Sequence, residues 1–413
     1  MGDLANKPAV QGSFHPIDSA DAAHPERLAE VRARCPVSVA ARDGYPSVTM
    51  VATYEGIAEV FRNWRAFGSI GADPDPDVHD ATPMELRPII ALDPPAHTWA
   101  RRLNNLAMAP AAVEKALPYV ASQAAALVGA FADDRQAELV GEWAEPLPGL
   151  AIARVLGLPE EDSGFIHDWV VSQFTESAAA AAGSNYGRTE LPADEAFQGY
   201  LLEQIALRRE DTAPEDAMTD MIRYRRDDGS SFSDLEISVH IRVLLIAGNE
   251  TTTSLMSNLM YRLLSEPGLY ERVAADRALV VPAIEESLRL DTPLQVIIRR
   301  ANEDATVGDV LVERGSVIAL STMSGNRDET VWGEDADRYR LDRFAGDVER
   351  MHLGFGLGVH HCVGSFLARQ TTALAVNALF DAIPSMSLEP GYEYENVFFH
   401  VFHRPKRLPV VFG

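Results

Sequence analysis

The sequence predicts a mainly α-helical protein with a smaller β-rich lobe. Three observations lead there. No proline interrupts the stretch from Ser233 to Glu266, and Pro267 marks its stop. Apolar residues recur with helical period through 111–132, 143–156, 162–177 and 363–380. Strand-like alternation is confined to short stretches near 45–53, 294–322 and 390–413.

The length of 413 residues would allow two or three domains. Repeats, heptads and low-complexity linkers are absent, so one large domain over 21–413 is expected, preceded by a polar arm over 1–20 carrying Pro8, Gly12 and Pro16. The chain has 36 Lys+Arg against 61 Asp+Glu, a formal charge of -25, which argues against nucleic acid and anionic membranes as partners. Two cysteines cannot build a disulfide framework, which points to a reducing, cytoplasmic compartment. The first ten residues hold no signal-peptide core or membrane anchor, and Asn6 stands where a myristoylation motif wants Ser or Thr. A soluble monomer is expected.

Taken in order, 24–34 reads as a short helix, and 48–53 as a strand feeding a helix over 55–61. From Phe67 to Pro88 the chain is irregular and rich in Asp-Pro pairs, a loop length often tied to function. Asp93-Pro94-Pro95 then starts a helix on which His97 and Arg101 share a face at i, i+4. By spacing alone such a pair is usually a solvent face. Leu156-Gly157-Leu158-Pro159 gives a helix stop and restart. Residues 178–195 combine an alanine run with Gly183, Gly187 and Pro192, which by composition suits a tolerated surface insertion.

Ser233-x-x-Glu236 reads as a capping box. The helix it opens would span roughly 50 Å at 1.5 Å per residue. Glu236, His240, Arg242 and Glu250 interrupt its apolar run, so it is no membrane span. Ala247-Gly248-Asn249-Glu250-Thr251-Thr252 places a helix-weakening glycine beside side chains that compete for backbone hydrogen bonds, so a local reason is needed there. A kinked helix with satisfied polar groups would be the plain reason. The segment 282–290 is a helix stopped by Asp291-Thr292-Pro293; its Glu286 and Arg289, at i, i+3, would by spacing be a surface pair. Residues 294–301 and 306–322 alternate like strands, with Gly308 and Gly315 at turns. At the C-terminus, 397–403 and 408–412 flank Arg404-Pro405-Lys406-Arg407 and read as a hairpin.

The stretch that the others serve is F-G-L-G-V-H-H-C-V-G-S-F-L-A-R, 355–369. A glycine-broken loop delivers Cys362 to the start of a helical segment. Unpaired N–H groups and the positive dipole end favour an anion there, so Cys362 is expected as a thiolate, which can ligate iron. Gly356, Gly358 and Gly364 allow a tight bulge and close backbone approach to a flat ligand. Two other readings compete. Zinc could use Cys362 with His352, His360 and His361, but the only other cysteine, Cys35, lies far upstream. An inert buried cysteine would predict no companion motifs.

The loop resembles the haem-binding signature of the cytochrome P-450 family, F-x-x-G-x-x-x-C-x-G, at Phe355, Gly358, Cys362 and Gly364. The resemblance extends from about His24 to the C-terminus through five motifs in the family's order. It implies Cys362 as axial ligand of a non-covalent haem b, with Phe355, Gly356 and Gly364 shaping the loop. No C-x-x-C-H occurs for covalent attachment. His360, the His97 and Arg101 of D-P-P-A-H-T-W-A-R-R, and Arg299 (rather than Arg300) match positions that contact the haem propionates. In the Ala-Gly-x-Glu-Thr motif, Ala247 and Gly248 would let the helix pass over the haem beside a groove for oxygen. Thr251 would hydrogen-bond the oxygen being activated and Glu250 would deliver protons. Glu286, Arg289 and Arg343 match a buried structural triad. By position Val243, Ile246, Ala247, Gln295, Ile297 and Phe398 would line an apolar substrate pocket. Arg87, just before the haem-contacting helix, could hold a substrate carboxylate or lie on the surface. The resemblance also implies a lid over the substrate cavity at about 178–195.

The implied activity is that of a haem-thiolate monooxygenase. It would insert one oxygen atom of dioxygen into a C–H bond of a small or medium hydrophobic molecule, or dealkylate a heteroatom. Electrons would pass from NAD(P)H through a separate ferredoxin reductase and ferredoxin, with Arg101, Arg102 and Arg369 as a local basic patch. A peroxide-driven peroxygenase and a haem-thiolate sensor are the alternatives. The Glu250–Thr251 relay favours dioxygen over peroxide.

Overall fold

The computed structural model describes residues 25–42, 45–70, 80–182, 192–210, 212–346, 351–397 and 401–413. The chain forms two compact units, one from Met1–His79, Pro282–Cys362 and Asn396–Arg404, the other from Asp80–Val281, Val363–Glu395 and Pro405–Gly413. The predicted N-terminal arm lies outside the described residues.

The first unit holds the β-rich lobe. Its five-stranded sheet runs in the order Val37–Arg42, Tyr45–Val51, Val317–Ser321, Val296–Ala301, Phe67–Gly68. Only the Tyr45–Val51 and Val317–Ser321 pair is parallel. Strand alternation divides the apolar residues between two faces. Met50, Val296 and Ala319 meet Leu28 and Val31 of the Pro25–Arg34 helix. Val51, Ile318 and Leu320 meet Ile57 and Phe61 of the Tyr54–Arg62 helix. The Val37–Arg42 and Phe67–Gly68 strands fall in stretches without a strand signal. Val37–Arg42 joins as a hairpin with the next strand, from Arg42 opposite Tyr45 to Val37 opposite Val51, whereas Phe67–Gly68 is held by the distant Arg300 and Ala301, a pairing that a local pattern does not encode.

The second unit is helical. Its axis is the 32-residue Asp234–Ser265 helix, opened by the predicted box: Ser233 Oγ accepts from Glu236 N at 3.2 Å, and Glu236 accepts from Ser233 N at 2.7 Å. Among the described residues no helix is long and apolar enough to cross a membrane. The helix expected over 143–156 begins at Pro146, because Pro146 and Pro148 have no N–H to extend it backwards. A wide turn, Val140–Ala144, precedes it, with Glu145 N donating to Val140 O at 2.9 Å. The alanine run beyond Ser177 continues a helix to Ala182, as the best helix former should. The rest of the expected lid, up to residue 191, lies outside the described residues.

The expected C-terminal hairpin is corrected. Pro409–Val411 pairs with Gln136–Glu138 and Ser387–Leu388. The Glu138 carboxylate fixes that arrangement by accepting from Leu408 N at 2.6 Å and Gly141 N at 2.9 Å. The preceding stretch closes on itself instead, with Val397 N donating to Arg404 O at 3.0 Å.

Candidate active site

In the first unit the cysteine loop is built on backbone contacts. Gly356 (φ +64°) and Gly358 (φ +71°) occupy the left-handed region. A Cβ at Gly358 would lie 2.7 Å from the carbonyl oxygen of Phe61, so the loop presses directly on the end of the Tyr54–Arg62 helix. Cys362 N donates to Phe355 O at 2.8 Å, closing the loop and leaving the Cys362 side chain half-buried. Phe355, Leu357, Val359 and His360 are also half-buried. Helix Ser365–Ala382 starts three residues after the cysteine, a little later than its periodicity suggests.

Several residues that no motif singled out tie this loop down. His352 Nδ1 accepts from Gly354 N at 3.1 Å, so its Nε2 carries the proton toward Glu285 at 3.1 Å. Tyr54 donates its hydroxyl to Met351 O at 2.6 Å. Asn326 bridges Thr292 Oγ1 and Leu353 N, each at 2.7 Å. These partners are far apart in sequence. Only the Glu285-Glu286 doublet and the Asn326-Arg327-Asp328 coil could have hinted at them.

Glu286 and Arg289 are fully buried and paired in a bidentate fork, both bonds at 2.7 Å. Arg289 also donates to the carbonyls of Asn326 and Ala336 at 2.7 Å and Arg338 at 3.1 Å. Arg343 Nε reaches Glu286 at 3.4 Å, and its Nη groups donate to the carbonyls of Trp332 and Asp335. The structure thus brings all three together. Nearby, Arg340 and Arg343 hydrogen-bond Asp335 and hold its carboxyl down at about 2.

In the same unit Arg299 is 7% exposed, donates to Ile298 O at 2.8 Å and lies over Phe61. Ile297 is half-buried, whereas Gln295 is only 1% exposed. The Gln295 amide donates to Phe402 O at 2.9 Å, which makes it a tie to the C-terminal segment and not an open pocket wall. Phe398 lies outside the described residues.

In the second unit the long helix carries a strip unlike its surroundings. Ile241, Leu244, Leu245, Asn249 and the run 252–260 are buried. Val243, Ile246, Glu250 and Thr251 are half-buried and Ala247 is exposed. These positions follow i, i+3, i+4, i+7, i+8 and so share one face. The helix stays α-helical through the strip, so the expected groove is not a break in it. Thr251 donates its hydroxyl to Ala247 O at 2.6 Å, the back-bond to i−4 that bends helices. The side of Gly248 is turned elsewhere: a Cβ there would meet Ile152 of the Pro146–Leu156 helix at an ordinary 3.6 Å. That contact would accept a methyl group, so packing against Ile152 does not by itself require glycine. On the Ala96–Met108 helix, His97 is 3% exposed and Arg101 is half-buried.

Each unit, taken by itself, carries residues of a kind that fits a haem. One unit offers a half-buried thiol on a loop with two left-handed glycines, plus Arg299 and His360. The other offers a small, apolar strip that a flat group would cover, plus His97 and Arg101. Among the described residues no group of three or more His, Cys, Asp or Glu side chains is placed to hold a metal ion.

One buried group of this unit makes a pH prediction. His240 sits against Asn104, and burial pushes its pKa down to about 4, with Glu236 opposing and Arg226 assisting. The folded state therefore prefers neutral His240. Its contribution is complete above the usual value near 6.5 and is lost as the pH falls toward 4. Between pH 7 and 4.5 the wild type should lose about 2–3 kcal/mol relative to His240→Gln. Denaturant unfolding of both proteins across that range checks it; parallel curves would reject it.

Comparisons with known proteins place the chain in a family. The family model for Cytochrome P450 matches residues 183–382. The chain is 33% identical over 293 residues to cyclomarin C epoxidase of Salinispora arenicola, covering 71% of this chain and 72% of that one. It is 30% identical over 378 residues to vitamin D(3) 25-hydroxylase of Pseudonocardia autotrophica, covering 90% and 88%. Among solved structures, Bacillus megaterium CYP109E1 in complex with testosterone superposes with a TM-score of 0.79 at 27% identity, covering 96% of this chain and 99% of that one. The fold is the cytochrome P450 fold. The chain belongs to the cytochrome P450 family of haem-thiolate monooxygenases, enzymes that use haem, dioxygen and electrons supplied from NAD(P)H through redox partners.

Proposed function

We propose that this enzyme hydroxylates, or dealkylates at a heteroatom, a small to medium hydrophobic molecule. Cys362 would hold the haem iron, and His97, Arg101, Arg299 and His360 would hold the propionates. When bound, the haem supplies the iron that activates dioxygen. The observation that carries the reading is the strip on the long helix, where an apolar face at Val243, Ile246 and Ala247 runs directly into Glu250 and Thr251.

Those two residues divide the proton handling. Thr251 commits its own proton to Ala247 O, which leaves the Oγ1 lone pairs to accept a proton donor on that face. Glu250, half-buried, can exchange protons with solvent and pass them inward. A peroxide-driven enzyme would need neither. Apolar Val243, Ile246 and Ile297 favour a hydrophobic substrate, and the relatives named for vitamin D(3) and found with testosterone bind molecules of that kind.

Electrons would come from a separate ferredoxin and its reductase, in the cytoplasm. Arg101, Arg102 and Arg369 are the basic residues proposed for that docking surface. Arg102 contributes less, because it pairs with Asp227 at 3.0 Å.

Thr251→Ala tests the relay. With testosterone, or another compound that shifts the haem spin state, as substrate, the variant should keep consuming NAD(P)H. Product per electron pair should fall by roughly tenfold or more, with peroxide released in its place. Full coupling in the variant would remove the relay from the mechanism.

A further inference from the structure

The strip of the long helix that carries Glu250 and Thr251 does not end with them. Counting on by three and four, Ser254, Ser257, Asn258 and Tyr261 fall on the same face, while Leu255, Met256, Leu259, Met260 and Leu263 fall on others. The stripe is not a surface one, because Ser254, Ser257 and Asn258 are at most 1% exposed. A helix face buried that deeply normally carries apolar side chains. From Thr251 to Tyr261 the stripe covers roughly 15 Å at 1.5 Å per residue.

Its hydroxyls are not satisfied by protein. Ser254 Oγ and Ser257 Oγ have no hydrogen-bond partner among the described residues. Thr251 and Ser265 on the same helix behave differently, each donating to the carbonyl four residues back, at 2.6 and 2.7 Å. The same condition recurs in the elements that pack on this helix. Trp143 Nε1, in the Val140–Ala144 turn, is buried without a partner, although the adjacent Ala144 O accepts from Thr253 Oγ1 at 3.2 Å. Thr371 Oγ1 and Thr372 Oγ1, on the buried face of the Ser365–Ala382 helix, have none either. A buried donor left dry loses its hydration without compensation. Protein interiors meet such groups with ordered water, each molecule making about three hydrogen bonds.

The stripe reaches the outside at Tyr261. Half-buried Tyr392 and Tyr394 stand against its ring, with centroids 6.5 and 4.8 Å away. Burial, then Tyr261 and the carboxylates of Glu138 and Glu395, push Tyr392 up to about 12, so its hydroxyl keeps its proton near neutral pH. Ser265, one turn further on, is exposed.

We propose that this stripe holds a file of ordered waters from the Tyr261 mouth to Thr251, and that the file is a second proton route which does not pass through Glu250. Ser254 and Ser257 keep the waters in line, each hydroxyl donating to one water and accepting from the next. A proton given up at the Thr251 end is replaced by one from solvent at Tyr261, so the file ends as it began and no side chain is oxidised or reduced. The proposal rests on the monooxygenase reading for the demand for protons, but the waters themselves need no iron.

Two measurements on the full-length haem-loaded protein test it. A crystal structure at atomic resolution should show waters bonded to Ser254 Oγ and to Ser257 Oγ. With a compound that shifts the haem spin state as substrate, Glu250→Gln and Ser254→Ala should each lower product per electron pair by about fivefold. Together they should lower it by about a hundredfold or more, beyond the product of the single losses, because each single variant leaves the other route open. Ser254→Thr keeps a hydroxyl and should restore what Ser254→Ala loses. Dry serine hydroxyls overturn the proposal whatever the kinetics. A double variant whose loss does not exceed the product of the single losses overturns it as well. Waters along the stripe of a protein with no thiolate-type haem spectrum would instead overturn the monooxygenase reading and leave the water file standing.

Discussion

Cys362→Ala protein is expected to lose the red-shifted Soret band of the ferrous–CO complex, and its turnover should fall at least a hundredfold. A Cys362 thiolate would donate electron density to the haem iron when haem is bound, and alanine offers no donor in its place. The substitution leaves the loop itself intact. The Cys362 N to Phe355 O bond is a backbone bond, and Gly356 and Gly358 set the turn whichever side chain stands at 362. Unfolding free energies of the two haem-free proteins should therefore agree to within about 0.5 kcal/mol, the usual range for a change away from such features. Absorption spectra of the two proteins decide the matter. A wild-type band of the histidine-ligated kind, or a variant that keeps the shifted band, would falsify the thiolate assignment.

The second large effect is on stability. Glu286→Ala should remove about 3–5 kcal/mol, the loss expected when one partner of a buried ion pair is deleted. Arg289 would remain buried with two N–H groups facing an empty carboxylate position, and Arg340 N would lose its bond of 2.9 Å to the same oxygen. Glu286→Gln keeps an acceptor and should lose less. Denaturant midpoints of the three proteins provide the comparison. A Glu286→Ala protein within 1 kcal/mol of the wild type would show that the triad is not the support of the cysteine-loop side.

What could be read from the sequence depended on how local the physics was. The long helix was legible because its start is a four-residue box and its end is a proline. The cysteine loop was legible because glycines, histidines and one cysteine stood in a fixed order. The Phe67–Gly68 and Gln136–Glu138 strands were not, since each is defined by a partner far away in the chain. The same reason displaced the C-terminal hairpin: Pro409–Val411 found a neighbour at Gln136–Glu138, and no local feature announces that choice. The alanine run misled because small residues next to glycines suggest a loop, while alanine itself favours helix.

Within the candidate site, motif positions were readable and their supports were not. The His352–Glu285 bond joins residues 67 apart in sequence, and Tyr54 reaches Met351 across 297. Gln295 and Gly248 show the other limit. Position along the chain put Gln295 near the pocket and a motif put Gly248 over the haem; the Gln295 amide instead bonds Phe402 O, and the side of Gly248 faces Ile152.

The saturation of Arg289 bears on how new specificities can arise in this protein. Its fork uses all five N–H groups, two on Glu286 and three on backbone carbonyls. A lysine has three donors at a single point and could not span those acceptors, so drift at this position is blocked. A framework closed in that way has no spare bonding capacity through which changes elsewhere could disturb it. Exchanges at Val243 or Ile246, where only apolar contact is at stake, can then alter which molecules are accepted while the scaffold of the cysteine loop is inherited unchanged.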